Sequence, residues 1–276
     1  MKQFILNKEP DKDNIVRLEG GDYRYLVCVR RLAAGEFFPA LLPNGEETLV
    51  QVLSVDHSVL TGKCIPSSQN PSALHQCSIP PIILFQAMPK GEKMDLIVRQ
   101  AAEGGITEIV PFMSEFSIGK INAEGQKFSR WERIIKEARQ QSGSKTATVI
   151  RPLLTINALF DYWKKLKEPG KDADSVLGVL FHHENSGEIQ QGGLENKSLH
   201  GYLNINPKIV VLAIGPEGGF SGREVSLFAD NGFKPMTIGD TILRTETAAV
   251  YCTAAIRVLL LERNSWELKQ MKPCSV

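Results

Sequence analysis

Residues 210–224 read Val-Val-Leu-Ala-Ile-Gly-Pro-Glu-Gly-Gly-Phe-Ser-Gly-Arg-Glu. Five apolar residues in a row, 210–214, predict a strand buried on both faces, as in a parallel sheet covered by helices. Gly215, Pro216, Gly218 and Gly219 then allow a sharp turn and a close approach of backbone to a ligand, although a plain βα turn is the commoner use of such glycines. Ser221 with Glu224 three residues later forms a capping box, in which the serine caps a helix and the glutamate reaches back. Strand, turn and capped helix make one βα unit.

The same alternation extends outward. Apolar runs at 81–88, 106–112, 148–154, 175–181, 208–214 and 235–238 predict strands. Between them Met94, Ile97, Val98, Ala101 and Ala102 mark one helix face, stopped by Gly104-Gly105. Trp131, Ile134, Ile135 and Ala138 mark a second face, and Leu159, Phe160, Trp163 and Leu166 a third, ended by Pro169-Gly170. Residues 185–206 are polar and predict a loop, and 250–261 a long apolar helix for which Thr245 or Thr247 would be the N-cap. Repeated β–α–β units predict an α/β fold with a mainly parallel sheet. The first 75 residues read instead as mostly β: runs at 37–42 and 48–55 join through Pro43-Asn44-Gly45-Glu46, a hairpin signal, 59–65 adds a strand, and 25–32 a short helix. The turn formers of 66–72 predict a boundary between domains at 1–72 and 73–276.

The chain has 276 residues, 42% hydrophobic and 23% charged, as in an ordinary globular protein. No apolar run reaches the length of a membrane span and the N-terminus lacks a signal-peptide core, so a cytoplasmic location is expected. Five scattered cysteines, with no CxxC pair, suggest neither a disulfide framework nor a metal site. The spacing G-x-G-x-x-G and the P-loop pattern are both missing, which removes dinucleotide folds of that type and P-loop NTPases. Net charge is only +1, but residues 120–151 hold eight basic residues against three acidic ones. That segment is either a phosphate-binding surface or a solvated helix face.

A second loop, Ile238-Gly239-Asp240-Thr241-Ile242-Leu243-Arg244-Thr245-Glu246-Thr247-Ala248-Ala249, leads into the last helix, whose start can receive an anion. Arg244 beside Glu246 is either a surface ion pair or part of a site. Taken together, Gly-Pro-Glu-Gly-Gly-Phe-Ser-x-x-Glu and Ile-Gly-x-x-Ile-Leu-Arg-x-Glu-Thr-Ala closely resemble the cofactor end of the SPOUT (trefoil-knot) methyltransferases. More narrowly, they resemble the ribosomal RNA small subunit methyltransferase E family, which methylates N3 of a uridine in 16S ribosomal RNA. Residues 86–97, 111–117 and 130–143 are similar to the same family, and 25–32 resemble the helix of its PUA-like barrel. The chain departs from the family pattern at Ser144, Arg24 and Gln3-Phe4-Ile5, all on the expected RNA side.

The resemblance implies a PUA-like β-barrel over 1–72, a SPOUT domain over 73–276, a homodimer, S-adenosyl-L-methionine as cofactor, and 16S ribosomal RNA or the small ribosomal subunit as partner. It implies no metal and no membrane. Cofactor contacts fall on Phe181, His182, Ile214, Gly215, Pro216, Glu217, Gly218, Gly219, Ile238, Gly239, Ile242 and Leu243. Arg244 would stabilise the anion of the target base and Glu246 would accept its proton. RNA phosphates would meet Arg17, Arg24, Arg30, Arg31, Arg130, Arg133, Arg139 and Lys145. The alternatives are a catalytically silent RNA-binding protein of the same fold and a SPOUT methyltransferase acting on another RNA.

Overall fold

A computed structural model describes residues 4–66, 79–117, 124–167, 175–183 and 198–270, with backbone alone for 66, 124–126 and 264–270. The domain boundary expected at 66–72, together with Lys120 and Glu184, falls outside or at the edge of this described set. The chain separates into two compact units, Met1–Gln76 with Lys136–Ala147, and Cys77–Ile135 with Thr148–Val276.

The first unit carries strands β1 (Phe4–Ile5), β2 (Ile15–Glu19), β3 (Phe37–Leu41), β4 (Glu47–Val55) and β5 (Val59–Pro66). They form one mixed sheet in the order β1-β3-β4-β5-β2, parallel only between β1 and β3. β3 and β4 close as the expected hairpin, with Gly45 at φ +92 and the Asn44 side chain accepting from the Glu46 amide at 2.8 Å. Alternation puts Val16, Leu18, Phe38, Ala40, Val50, Val52 and Leu60 in one buried cluster and leaves Arg17 outside. β1 and β2 carried no clear signal in the sequence, because one is two residues long and the other is five. The helix expected over 25–32 starts earlier, as α1 (Gly20–Tyr23), widens into a π-helical stretch (Arg24–Val29) and buries Leu26. It stops before Arg31, which takes a left-handed φ of +59.

The second unit is the parallel α/β sheet. Its elements run β6 (Ile82–Ala87), α2 (Lys93–Glu103), β7 (Glu108–Met113), α3 (Glu124–Ser142), β8 (Val149–Ile150), β9 (Leu154–Thr155), α4 (Ile156–Leu166), β10 (Val176–Phe181), α5 (Leu199–Leu203), β11 (Ile209–Ile214), α6 (Gly222–Asp230), β12 (Lys234–Met236) and α7 (Thr245–Gln270). The last turns of α3 belong to the first unit. Strand order is β12-β10-β11-β6-β7-β8, with β9 also on β7, and every pairing is parallel. β6 and β10 are buried at every position, β10 as an unbroken apolar run and β6 with Gln86 as its one polar residue. All five residues of the predicted α2 face are buried, and so are the four of α3.

Three expectations need correction. The strand predicted over 148–154 is two short strands, because Pro152 has no N–H to give the ladder; Arg151 supplies the last bond, to Ile109. Within the predicted loop 185–206, residues 185–197 lie outside the described set, and the remainder includes helix α5, capped by the Ser198 hydroxyl. Thr245 opens α7 instead of capping it: it is buried, and its hydroxyl donates to the Gly215 carbonyl at 2.6 Å.

Candidate functional site

Register places the candidate loops side by side. Phe181 at the end of β10 pairs with Ile214 of β11 on one side and Met236 of β12 on the other. The chain therefore leaves all three strands at the same carboxyl edge, where open parallel sheets collect ligands. The β10 and β12 loops are tied by the His182 amide, which donates to Met236 O at 3.2 Å, and by Thr237 Oγ1, which donates to His182 O at 3.2 Å. The β11 loop is tied to α7 by a buried relay: Gln86 Nε2 donates to Thr245 Oγ1 at 3.1 Å, and Thr245 Oγ1 donates onward to Gly215 O.

These loops enclose a cleft of about 130 Å³. Phe181, His182, Ile214, Gly215, Pro216, Glu217, Gly219, Ile238, Ile242 and Leu243 line it, joined by residues that sequence reasoning missed, among them Phe220, Met236 and Cys252. Gly218 and Gly239 do not line it. Gly218 faces the other way, where an added Cβ would lie 3.0 Å from Phe116. Gly219 and Gly239 instead hold positive φ, +71 and +65, which a side chain would strain. At Gly215 an added Cβ would meet Gly219 backbone at 3.2–3.3 Å, so a bare Cα is needed for the loop to fold on itself. Burial pushes the Cys252 thiol up to about 12, so the floor of the cleft is neutral and apolar at physiological pH.

A charged clamp joins the edges of the site. Lys93, at the start of α2, lies 2.8 Å from Glu217 of the glycine loop and 3.3 Å from Glu246 in the first turn of α7. The Lys90 amide also donates to both Glu217 oxygens, at 3.2 and 3.1 Å. Burial alone would raise the Glu217 pKa, but Lys93 and these amides outweigh it and hold the carboxyl below the usual range. The expected Arg244–Glu246 pair is not formed, since Glu246 turns to Lys93. Arg244 is exposed and, among the described residues, its guanidinium has no ion pair or hydrogen bond. Its carbonyl accepts from Ala248 N at 2.7 Å, which fixes the loop where it enters α7. Neither Lys93 nor Lys90 could be found from the sequence, because their partners lie far along the chain.

The expected RNA contacts divide. Arg17, Arg24, Arg30, Arg31 and Arg133 are exposed. Arg130 pairs with Asp95 at 2.5 Å and Lys145 with Glu47 at 2.8 Å. Arg139 is the correction: it is only 6% exposed, so it is not a surface phosphate contact, and among the described residues its Nε and Nη2 have no partner. Its position explains this, because Trp131, Ile135 and Arg139 recur every four residues on the buried face of α3. Among the described residues no group of three His, Cys, Asp or Glu is placed to hold a metal, and no helix is long and apolar enough to cross a membrane.

Comparison with known proteins adds an independent line. Residues 76–257 match the model of the RNA methyltransferase domain family. The ribosomal RNA small subunit methyltransferase E of Synechocystis sp. is 30% identical over 94% of this chain and 78% of its own length. A second such methyltransferase, from Borreliella burgdorferi, is 29% identical over 96% of this chain and the whole of its own. The crystal structure of a ribosomal RNA small subunit methyltransferase E from Neisseria gonorrhoeae bound to S-adenosyl methionine shares the fold. It has a TM-score of 0.70 at 23% identity and covers 94% of this chain and 98% of its own.

Proposed function

The chain belongs to the RNA methyltransferase domain family, together with ribosomal RNA small subunit methyltransferase E, and on that premise we propose that it transfers a methyl group from S-adenosylmethionine to N3 of a uridine in 16S ribosomal RNA. The observation that carries this reading is the meeting of three strand-end loops around an apolar, backbone-lined cleft beside an unpartnered arginine. Ile214, Ile238, Ile242 and Leu243 suit the flat faces of an adenine, and the turns at Gly215 and Gly219 bring backbone groups close enough to bond its edge. The relative from Neisseria gonorrhoeae binds that cofactor on the same fold. When bound, the cofactor supplies an electrophilic methyl on a sulfonium.

The chain's own residues supply position and charge. Attack through N3 requires its proton to pass to solvent water, so negative charge would grow on the uracil oxygens. Arg244, free of ion pairs and side-chain hydrogen bonds among the described residues, would donate to that charge as it develops. Glu246 is held by Lys93, and we assign it to fixing the loop instead of accepting the proton. We assign residues 1–72 to a PUA-like RNA-binding barrel and 73–276 to a SPOUT domain with a trefoil knot, acting in the cytoplasm on the small-subunit RNA.

A homodimer fits the same site. The cleft is smaller than the ~300–1,000 Å³ usual for ligands, and Ile242 stands 75% exposed at its rim. Val250, Tyr251 and Val258 of α7 and Leu96 of α2 are also exposed and apolar, as a second copy would require. The test is direct. Small ribosomal subunits lacking the modification should gain one methyl on a uridine when incubated with the protein and S-adenosylmethionine, read by mass spectrometry of the digested RNA. Binding of S-adenosylmethionine without any transfer would favour the silent RNA-binding protein instead.

A further inference from the structure

On the far side of the glycine loop lies a second recess of about 540 Å³, lined by Lys90, Glu115, Phe116, Ser117, Glu217 and Gly218. It shares Glu217 with the cofactor cleft, so the two cavities are back to back across one loop. Phe116 is its platform. The ring is 49% exposed and leans on Gly218, which has no side chain to push it away. The backbone beneath is held firmly. Buried Glu224, the capping residue of α6, accepts from Ser114 Oγ and from the Glu115 amide, each at 3.0 Å. The turn closes through the Ser117 amide, which donates to Ser114 O at 3.0 Å.

The polar lining narrows the ligand. Lys93 and the Lys90 amide already satisfy Glu217. Among the described residues the Lys90 ammonium and the Glu115 carboxylate have no side-chain partner, and both are exposed. An open aromatic face, a free cation and a carboxylate that can only accept match a nucleotide: a base to stack, a phosphate to neutralise and an amino group to donate. The reacting uridine must reach the cleft on the other side of the loop, and its edge carries no amino group. We infer that this recess binds a nucleotide adjacent to the methylated uridine, its amino-bearing base stacked on Phe116 and facing Glu115, its phosphate near Lys90. The inference rests on the reading of the chain as an RNA methyltransferase.

The experiment uses a 16S ribosomal RNA fragment that the wild type methylates, with each nucleotide flanking the target made abasic in turn. Loss of a stacked base on an aromatic platform raises KM by about 5- to 150-fold. One abasic position should do this in the wild type with kcat unchanged. Phe116→Leu, which keeps an apolar side chain on Gly218 but removes the ring, should raise KM for the intact RNA by the same factor and show no further rise with the abasic one. Phe116→Trp should keep the wild-type KM, and S-adenosylmethionine affinity should be equal in all three proteins. A wild-type KM for Phe116→Leu on intact RNA overturns the inference and leaves the proposed function standing. Loss of cofactor affinity in Phe116→Leu also overturns it, since the ring would then only support the loop. A wild type that methylates neither a 16S fragment nor small ribosomal subunits lacking the modification removes the functional reading itself.

Discussion

The basic stretch around α3 and the single cation of the last loop carry the same charge and meet opposite fates. Along the stretch, Arg130 pairs with Asp95, Lys136 with Asp22, Lys145 with Glu47 and Arg151 with Glu108, while Arg139 is buried. Among the described residues Arg244 has no such partner, and it is exposed. The excess positive charge of 120–151 was a local count, and every one of those four acids lies outside it. A run of lysine and arginine therefore says little about phosphate binding until distant acids are placed. One arginine that the fold leaves unpaired says more.

That contrast breaks most visibly at Arg244. Its replacement by alanine should lower the single-turnover methylation rate by about 10²–10³, the usual loss when one donor to a developing anion is removed. S-adenosylmethionine affinity and melting temperature should stay where they are, because no internal contact is lost. Arg244→Lys should recover only part of the rate, since an ammonium lacks the planar fork of donors. A full rate with alanine would place Arg244 with the solvated cations.

The next effect falls on the cofactor. Gly215→Val would drive a side chain into Gly219 and the Phe220 ring, 3.2–3.4 Å from where its Cβ must sit. Overpacking of this kind costs about 1–3 kcal/mol, and if the loop must give that much to hold the cofactor, S-adenosylmethionine should bind about 5- to 150-fold more weakly in calorimetry. Gly218→Ala is the control. Its Cβ meets Phe116 instead of the cleft, and cofactor affinity should be unchanged.

How much of this was legible beforehand follows from how far each cause reaches along the chain. The buried strands of the sheet and the α2 face were readable because five or six neighbouring residues carry the whole signal. The three loops were readable because each follows its own strand. The fate of Arg139 is also marked locally, by its place on the face of Trp131 and Ile135, each four residues from the next. The relay Gln86–Thr245–Gly215 and the clamp Glu217–Lys93–Glu246 were not readable. Each joins residues from three separate elements, and nothing local marks them as partners.

The clamp should show itself in pH dependence. Glu217 is held below its ordinary value, so its stabilising contribution is present above the usual glutamate range and fades as pH falls through the depressed value. Lys93, pulled upward chiefly by Glu217, contributes below the usual lysine range and loses that contribution as pH rises through the raised value. Between the two lies a plateau that includes neutral pH. Lys93→Met should lower the melting temperature on that plateau, and the gap from the wild type should close in acid. A constant gap at all pH values would mean that Lys93 matters through its packed methylenes and not through its charge.

The smallest effect is expected at Lys145, and it tests the contrast from the other side. Lys145 and Glu47 are 43% and 41% exposed, and their pair at 2.8 Å is screened by water. Surface pairs of this kind contribute about 0.2–1 kcal/mol, so Lys145→Ala and Glu47→Ala should each shift stability by no more than that, with a similarly small coupling in the double variant. RNA binding gives the sharper reading. If Lys145 left Glu47 to neutralise a phosphate, its removal would flatten the salt dependence of binding by roughly 0.7–0.9 log units per decade of salt. The geometry predicts no such change, because the nearest anion is already within the fold. Glu47→Ala then becomes decisive: it frees the ammonium, so RNA affinity should rise and the salt slope steepen toward one additional contact. A slope that falls with Lys145→Ala and does not respond to Glu47→Ala would show that ion pairs within the fold yield to RNA, and Arg130 would then have to be counted as an RNA contact as well.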